Sequence, residues 1–272
     1  MARFVVVPQW QGSPSTRAMA LIDGAEAIAG DLPRSASVRV EVPYEAGESL
    51  NTSVLRASTL RRVSEHVRET LDGLRDERTV VIGGDCGVAV PAIGHVAGDD
   101  LAVVWFDAHG DLHSPDTSPS GAFAGMALRA VLGGAPDGLG LAPGRISPER
   151  VVLAGARDLD PAESDYMRTA GTHHLPATDI AERLAEAITA TGARRVYVHI
   201  DLDVLDPAHM SGVADAQPFG IEPSALVSAI ATIRELLPLA GASITGFAPR
   251  SPASAVDDMG AILRLVGALA KD

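Results

Sequence analysis

A single cysteine, Cys86, among 272 residues excludes an intrachain disulfide, and nothing in the chain calls for an oxidising compartment. Basic residues are scarce: 22 Lys and Arg stand against 35 Asp and Glu, a formal charge of −13. A field of that sign repels phosphate backbones and anionic lipid, which argues against a nucleic-acid partner or a membrane-surface role. No stretch approaches the roughly 20 apolar residues that a spanning helix needs. The apolar start Phe4-Val5-Val6-Val7 is too short for the core of a secretory signal and is soon followed by polar Gln9 and Gln11, so it reads as a first buried strand of a cytoplasmic protein. Also missing are a proline-rich linker, a block of like charge and any long internal repeat, so the sequence predicts one domain over 1–272.

What is present is a 46% hydrophobic share, enough for a sizeable core, with short β-branched runs at 3–8, 79–83, 101–106, 150–154 and 195–200. Most are continuous rather than alternating, which suits strands covered on both faces, as in a parallel sheet. Helix-like segments lie between and beyond them at 15–29, 50–75, 121–132, 161–170, 178–191, 222–236 and 255–270. Ser64 ahead of Glu65, and Pro223 ahead of Ser224, carry helix-start signals. Alternation of the two kinds of segment predicts an α/β fold of three layers, α/β/α, with the Gly/Pro-rich stretch 133–149 as a surface loop.

In such a sheet ligands bind beyond the carboxyl ends of the strands, and there the acids and histidines of this chain gather. Gly83-Gly84-Asp85-Cys86 follows one run, Asp107-Ala108-His109-Gly110-Asp111-Leu112-His113 another, Arg157-Asp158-Leu159-Asp160 a third, and Asp201-Leu202-Asp203-Val204-Leu205-Asp206-Pro207 a fourth. Residues two apart in an extended segment share a face, which groups Asp107, His109 and Asp111, and likewise Asp201 with Asp203. Four carboxylates and an imidazole facing one crevice would repel strongly unless cations neutralised them. Two divalent ions would do so and would acidify a water held between them; a mostly oxygen ligand set suits Mn(II), with other first-row metals open. Asp206, beside Pro207, reads instead as a residue that shapes the turn.

These segments resemble the arginase (ureohydrolase) family, whose signatures G-G-D-H, D-A-H-x-D and D-x-D-x-x-D-P occur in this order. The resemblance implies a mainly parallel sheet of about eight strands, a dinuclear manganese centre, and a homo-oligomer, trimer or hexamer. By the same resemblance Asp107, His109, Asp111, Asp201 and Asp203 take five of six metal-ligand positions, with Asp107 and Asp201 bridging and Asp111 also orienting the attacking water. Asp160, with Glu163 after it, matches the segment that holds a substrate's α-amino group, and Ser120 falls where a hydroxyl holds the α-carboxylate. A guanidino α-amino acid is thereby implied as substrate. Asp160 ahead of Pro161 also fits a helix cap.

Four positions depart from the family pattern. Cys86 stands where the sixth ligand, a histidine, is expected; it either ligates as a soft donor, holding one manganese less tightly, or packs as a small apolar residue. Ala124 replaces a histidine that would pass a proton to the leaving amine, and Gly246 replaces a glutamate that would grip the guanidinium, leaving room in its place. His113 replaces an asparagine aimed at the substrate carboxylate; it could donate a hydrogen bond there, relay a proton, or simply line the pocket. Together the departures disfavour L-arginine. With the branch of the family that they resemble, they imply N-omega-hydroxy-L-arginine, cleaved to L-ornithine and hydroxyurea in D-cycloserine antibiotic biosynthesis. An ordinary guanidino-acid hydrolase, and a silent oligomeric binding subunit that keeps only the fold, stay open at this stage.

Overall fold

The computed structural model describes residues 2–271. Among them the strands are β1 (Arg3–Val7), β2 (Ser37–Arg39), β3 (Thr79–Gly83), β4 (Leu101–Phe106), β5 (Val151–Ala154), β6 (His173–Leu175), β7 (Arg195–Asp201) and β8 (Leu239–Thr245). All pair in parallel in one sheet of order β2-β1-β3-β8-β7-β4-β5-β6. The helices are α1 (Ala20–Gly30), α2 (Ala57–Asp72), α3 (Ala89–Val96), α4 (Ala127–Val131), α5 (Pro161–Ala170), α6 (Ile180–Ala190), α7 (Pro223–Leu236) and α8 (Val256–Ala270).

Strand alternation sorts the apolar residues into two cores, one on each face. Val104, Phe106, Val198 and Ile200 point to the side covered by α1, α6, α7 and α8, where they pack with Ile28, Leu184, Ile230 and Ile262. Val103, Trp105 and Tyr197 point the other way, against α2, α3 and α4 through Val63, Val67, Ile93 and Leu128. Because both faces are covered, the strands are apolar at consecutive positions, and the three-layer reading holds. No helix among the described residues is long and apolar enough to cross a membrane.

Three strands and a helix escape the pattern of branched runs. β2 and β6 are three-residue edge strands with little apolar content, Ser37–Arg39 and His173–Leu175. The third, β8, reads Leu-Ala-Gly-Ala-Ser-Ile-Thr, yet lies at the centre of the sheet. Its residues are small because β7 crowds it: a Cβ at Gly241 would meet the Tyr197 ring at 3.1 Å, and Ser243 Oγ lies 2.8 Å from His199 Nδ1. The missed helix, α3, carries Pro91 in its first turn, where no backbone donor is lost.

Three helices begin later than the periodicity suggests. Residues 50–56 are not helical; Leu50, Asn51, Ser53 and Arg56 all have positive φ, and α2 starts at Ala57. Ser64 is therefore a buried residue inside α2 and starts nothing. Turns occupy 16–19 ahead of α1, and 121–132 contains only a 3-10 turn and the five-residue α4. By contrast, α7 does open with Pro223 at its first position.

Candidate metal centre

Four adjacent strands in the middle of the sheet, β3-β8-β7-β4, release their carboxyl ends side by side. Above them opens a crevice of about 270 Å³ walled by Cys86, Asp107, His109, Asp111, Asp201 and Asp203, so the fold brings together all six residues expected to hold metal. Their two-residue spacing works through turns, which corrects the extended geometry read from the sequence. Asp107 Oδ1 accepts the His109 N–H at 2.7 Å, and Asp201 Oδ1 accepts the Asp203 N–H at 3.0 Å. Each aspartate thus folds the chain back over itself in an Asx turn, one oxygen held by backbone and the other by a side chain. Asp111 has φ +52°, a left-handed conformation that no strand contains.

Further hydrogen bonds fix the orientation of these side chains. Asp203 Oδ1 accepts from the Ala108 N–H at 3.0 Å, while its Oδ2 lies 3.0 Å from His109 Nδ1. Trp105 Nε1 donates to Asp107 Oδ2 at 3.0 Å, and the Cys86 thiol donates to Asp201 Oδ2 at 2.8 Å. Asp85 lines the crevice but is committed elsewhere: it accepts from Gln9 Nε2 and from the Gly12 and Gly87 N–H groups, tying the loop after β1 to the loop after β3. Asp206 does shape its turn, accepting from the Ala208 and Gly220 N–H groups.

Burial and mutual repulsion push these carboxyls upward. Asp201 rises to about 7, first from burial and then from the charge of Asp203; Asp203 rises to about 6, from burial and then Asp107. Burial and neighbouring carboxylates also raise Asp107, and raise Asp111 well above the carboxylate range. The Cys86 thiol moves up for the same reasons, burial first and then Asp201. At His109 burial opposes the charged ring, but hydrogen bonds to Asp107 and Asp203 outweigh it and hold the proton. Asp111 Oδ2 is buried without a partner. A crevice of repelling carboxylates with an orphaned buried oxygen is what a divalent cation relieves, and the donor set fits one.

On the neighbouring wall stand the residues expected to meet substrate. His113 Nε2 lies 3.0 Å from Asp160 Oδ2 and 3.9 Å from Glu163 Oε2. Asp160 is also the N-cap of α5, its Oδ1 accepting the Glu163 N–H at 3.0 Å in a capping box, which is the helix cap expected ahead of Pro161. Glu163 accepts the Leu112 N–H at 3.1 Å and the Asp160 N–H at 3.3 Å, which fastens the metal loop to α5. Ala124 lines the crevice with a methyl group where an imidazole was expected. Ser120 is not brought in: it is exposed, and its hydroxyl accepts from the Ala122 N–H.

Gly246 also lines the crevice, but the room expected there is not free. Its φ is +85°, and a Cβ would overlap the Asp201 carboxylate. Glycine is needed so that β8 can end against that carboxylate.

Sequence reading missed two residues of the lining and its floor. Asp215 reaches the crevice from the loop after Asp206, with Oδ2 3.6 Å from His109 Nε2. His199 is fully buried beneath the centre, and burial lowers its proton affinity to about 3. Only its place two residues before Asp201, on the same face of β7, signals it in the sequence.

Comparison with known proteins agrees with this geometry. An arginase of Bacillus subtilis (strain 168) is 38% identical over 156 residues, 52% of this chain and 52% of the relative, so the match takes in about half of that protein's length. An N(omega)-hydroxy-L-arginine amidinohydrolase of Streptomyces lavendulae is 32% identical over 205 residues, 72% of either chain. The crystal structure of an Entamoeba histolytica arginase in complex with L-ornithine has the same fold, with a TM-score of 0.86 over 100% of both chains at 20% identity. The arginase family model matches residues 22–265, from α1 to the last helix, and the chain belongs to the arginase family.

Proposed function

We propose that the chain is a dinuclear-metal amidinohydrolase that adds water to N-omega-hydroxy-L-arginine and releases L-ornithine and hydroxyurea, with manganese as metal and a role in antibiotic biosynthesis. The observation that carries the reading is the crevice itself, in which five buried or half-buried Asp and His ligands face a wall holding Ala124 where a proton-donating histidine is expected. Similarity to the Streptomyces lavendulae relative supports the hydroxylated substrate. A guanidine bearing a hydroxyl is less basic than that of L-arginine and is itself a source of polar contacts, which offsets the missing donor.

Bound divalent cations supply an acidified water as nucleophile and polarise the guanidino group. The chain's own residues do the rest. Asp107 and Asp201 are preorganised by Trp105, the His109 N–H, Cys86 and the Asp203 N–H, so little reorganisation accompanies binding. Asp111 lines the crevice beside these carboxylates, where it would orient the attacking water through a hydrogen bond and pass that water's proton to the departing ornithine nitrogen. The His113–Asp160 pair, 3.0 Å apart, offers an imidazole and a carboxylate to the α-carboxylate and α-amino group of the substrate.

One purified, manganese-loaded sample tests the reading. Hydroxyurea release from hydroxyarginine should exceed urea release from L-arginine at equal concentration by at least about tenfold, a difference of about 1.4 kcal/mol in transition-state stabilisation. The reverse preference would make the protein an arginase. Turnover of neither, with no metal bound, would leave only the fold.

A further inference from the structure

The crevice carries more carboxylates than its metal centre and its own scaffold employ. Asp107, Asp111, Asp201 and Asp203 belong to the centre. Asp85 is held by Gln9 and two backbone N–H groups, and Glu163 by the Leu112 and Asp160 N–H groups. Asp160 faces His113 and caps α5. Two lining carboxylates are left over, Asp158 and Asp215, and no lysine or arginine among the described residues lines the crevice to neutralise them.

Asp215 is held in place although it is exposed. The stretch that carries it is tied at both ends, where Val213 bridges Phe247 in antiparallel fashion and Ile221 bridges Leu205. Asp215 therefore stands two residues beyond a bridge to the segment of Gly246, which offers the crevice no side chain of its own. Arg157 pins the middle of the stretch: its Nη2 donates to the carbonyls of Gln217 and Asp203, both at 2.8 Å, and its Nε to that of Pro218 at 2.9 Å. The Gln217 amide then donates to Asp158 Oδ2 at 3.0 Å and to Asp215 Oδ1 at 3.3 Å. Asp215 Oδ2 is left without a hydrogen bond. Its distance of 3.6 Å from His109 Nε2 is too long for one, and the His109 ring separates it from the centre, with Nδ1 3.0 Å from Asp203 Oδ2.

We propose that Asp215 is a specificity-determining residue whose Oδ2 accepts a hydrogen bond from the outer nitrogen of the substrate's guanidinium group, with Gln217 and Arg157 as the residues that position it. A bond between a carboxylate and a guanidinium is charge-assisted, and a neutral group of the same shape gains much less from it. The inference rests on the amidinohydrolase reading above and adds to it the residue that selects the charge of the group to be cleaved. Asp158, whose Oδ2 is occupied by Gln217, adds a second negative charge to the same side of the mouth.

L-arginine and its neutral isostere L-citrulline, used as competitors of hydroxyarginine on the manganese-loaded full chain, test it. The unsubstituted protein should bind L-arginine more tightly than L-citrulline by about tenfold or more, the range of one charge-assisted hydrogen bond. Asp215→Asn keeps the shape and removes the charge; it should erase that preference by weakening L-arginine alone, leaving the L-citrulline inhibition constant within about twofold. Asp215→Glu should restore part of the preference, which a packing defect would not allow. Gln217→Leu keeps the charge and removes the amide, and should raise KM for hydroxyarginine more than it lowers kcat. If Asp215→Asn weakens both competitors equally, with a matching loss of manganese affinity, the residue serves His109 and the proposal fails. It fails also if Asp215→Asn weakens neither, or if the unsubstituted protein binds the two competitors alike; in these cases hydroxyarginine turnover would leave the amidinohydrolase reading standing. Turnover of no guanidino acid and binding of neither competitor would remove both.

Discussion

Replacing Gly246 by alanine separates two costs that the structure superimposes. The first is backbone strain: at φ +85° a side chain is disfavoured by about 1–2 kcal/mol. Gly144 carries the same strain at φ +78° but has open space where a Cβ would go, so Gly144→Ala measures that term alone. The second is collision with the Asp201 carboxylate, which must rotate and give up the hydrogen bonds from Cys86 at 2.8 Å and from the Asp203 N–H at 3.0 Å. At about 0.5–1.5 kcal/mol each, these bring the expected loss for Gly246→Ala to about 2–5 kcal/mol, against about 1–2 for the control. Urea unfolding in chelator reads both values. Calorimetric titration with manganese reads the consequence, a 10- to 100-fold loss of affinity in Gly246→Ala and none in Gly144→Ala. Equal metal affinity in the two variants would refute the claim that this glycine exists to admit Asp201. By the same argument Gly246→Glu should not gain L-arginine hydrolysis.

Asp201 and Asp203, raised to about 7 and about 6, keep protons in the native state that the unfolded chain has released above about pH 4. The folded protein then binds more protons than the unfolded one, so metal-free stability should fall as pH rises from about 4 to about 7. Saturating metal should flatten the slope, and Asp201→Asn should reduce it; a metal-free melting temperature that climbs over this range would contradict the burial of these groups. Trp105→Phe keeps the aromatic packing but deletes the 3.0 Å donor to Asp107, and manganese affinity measured by titration should drop about tenfold or more. Asp160→Ala removes the cap of α5 and the partner of His113; it should cost about 1 kcal/mol in unfolding and raise KM more than it lowers kcat. An unchanged KM would show that this pair does not hold substrate.

The three layers and the crevice were legible because they rest on strong local signals. Consecutive apolar residues such as Leu101–Phe106 mark strands buried on both faces, and acids following them mark strand ends. β8 was illegible because its composition answers to its neighbours: Gly241 and Ser243 are small to fit Tyr197 and His199, which lie more than 40 positions away. The candidate metal ligands were grouped by spacing, but for an incomplete reason, since Asx turns rather than extended backbone join Asp107 to His109 and Asp201 to Asp203. Gly246 was read as a vacancy because a sequence shows a missing side chain and not the carboxylate that fills its place. His199 carries no motif; its burial and its unpaired nitrogen show only in the assembled floor.

β8 pairs with β3 on one side and β7 on the other, and among the described residues no other strand joins those two halves. A nascent chain that has emerged only as far as Pro238 therefore possesses two separate sheet fragments, β2-β1-β3 and β7-β4-β5-β6, with facing edges that nothing links. Cys86 travels with the first fragment; Asp107, His109, Asp201 and Asp203 travel with the second. Insertion of a near-final segment is thus the event that mates the two, and cation capture by the full set has to wait for it.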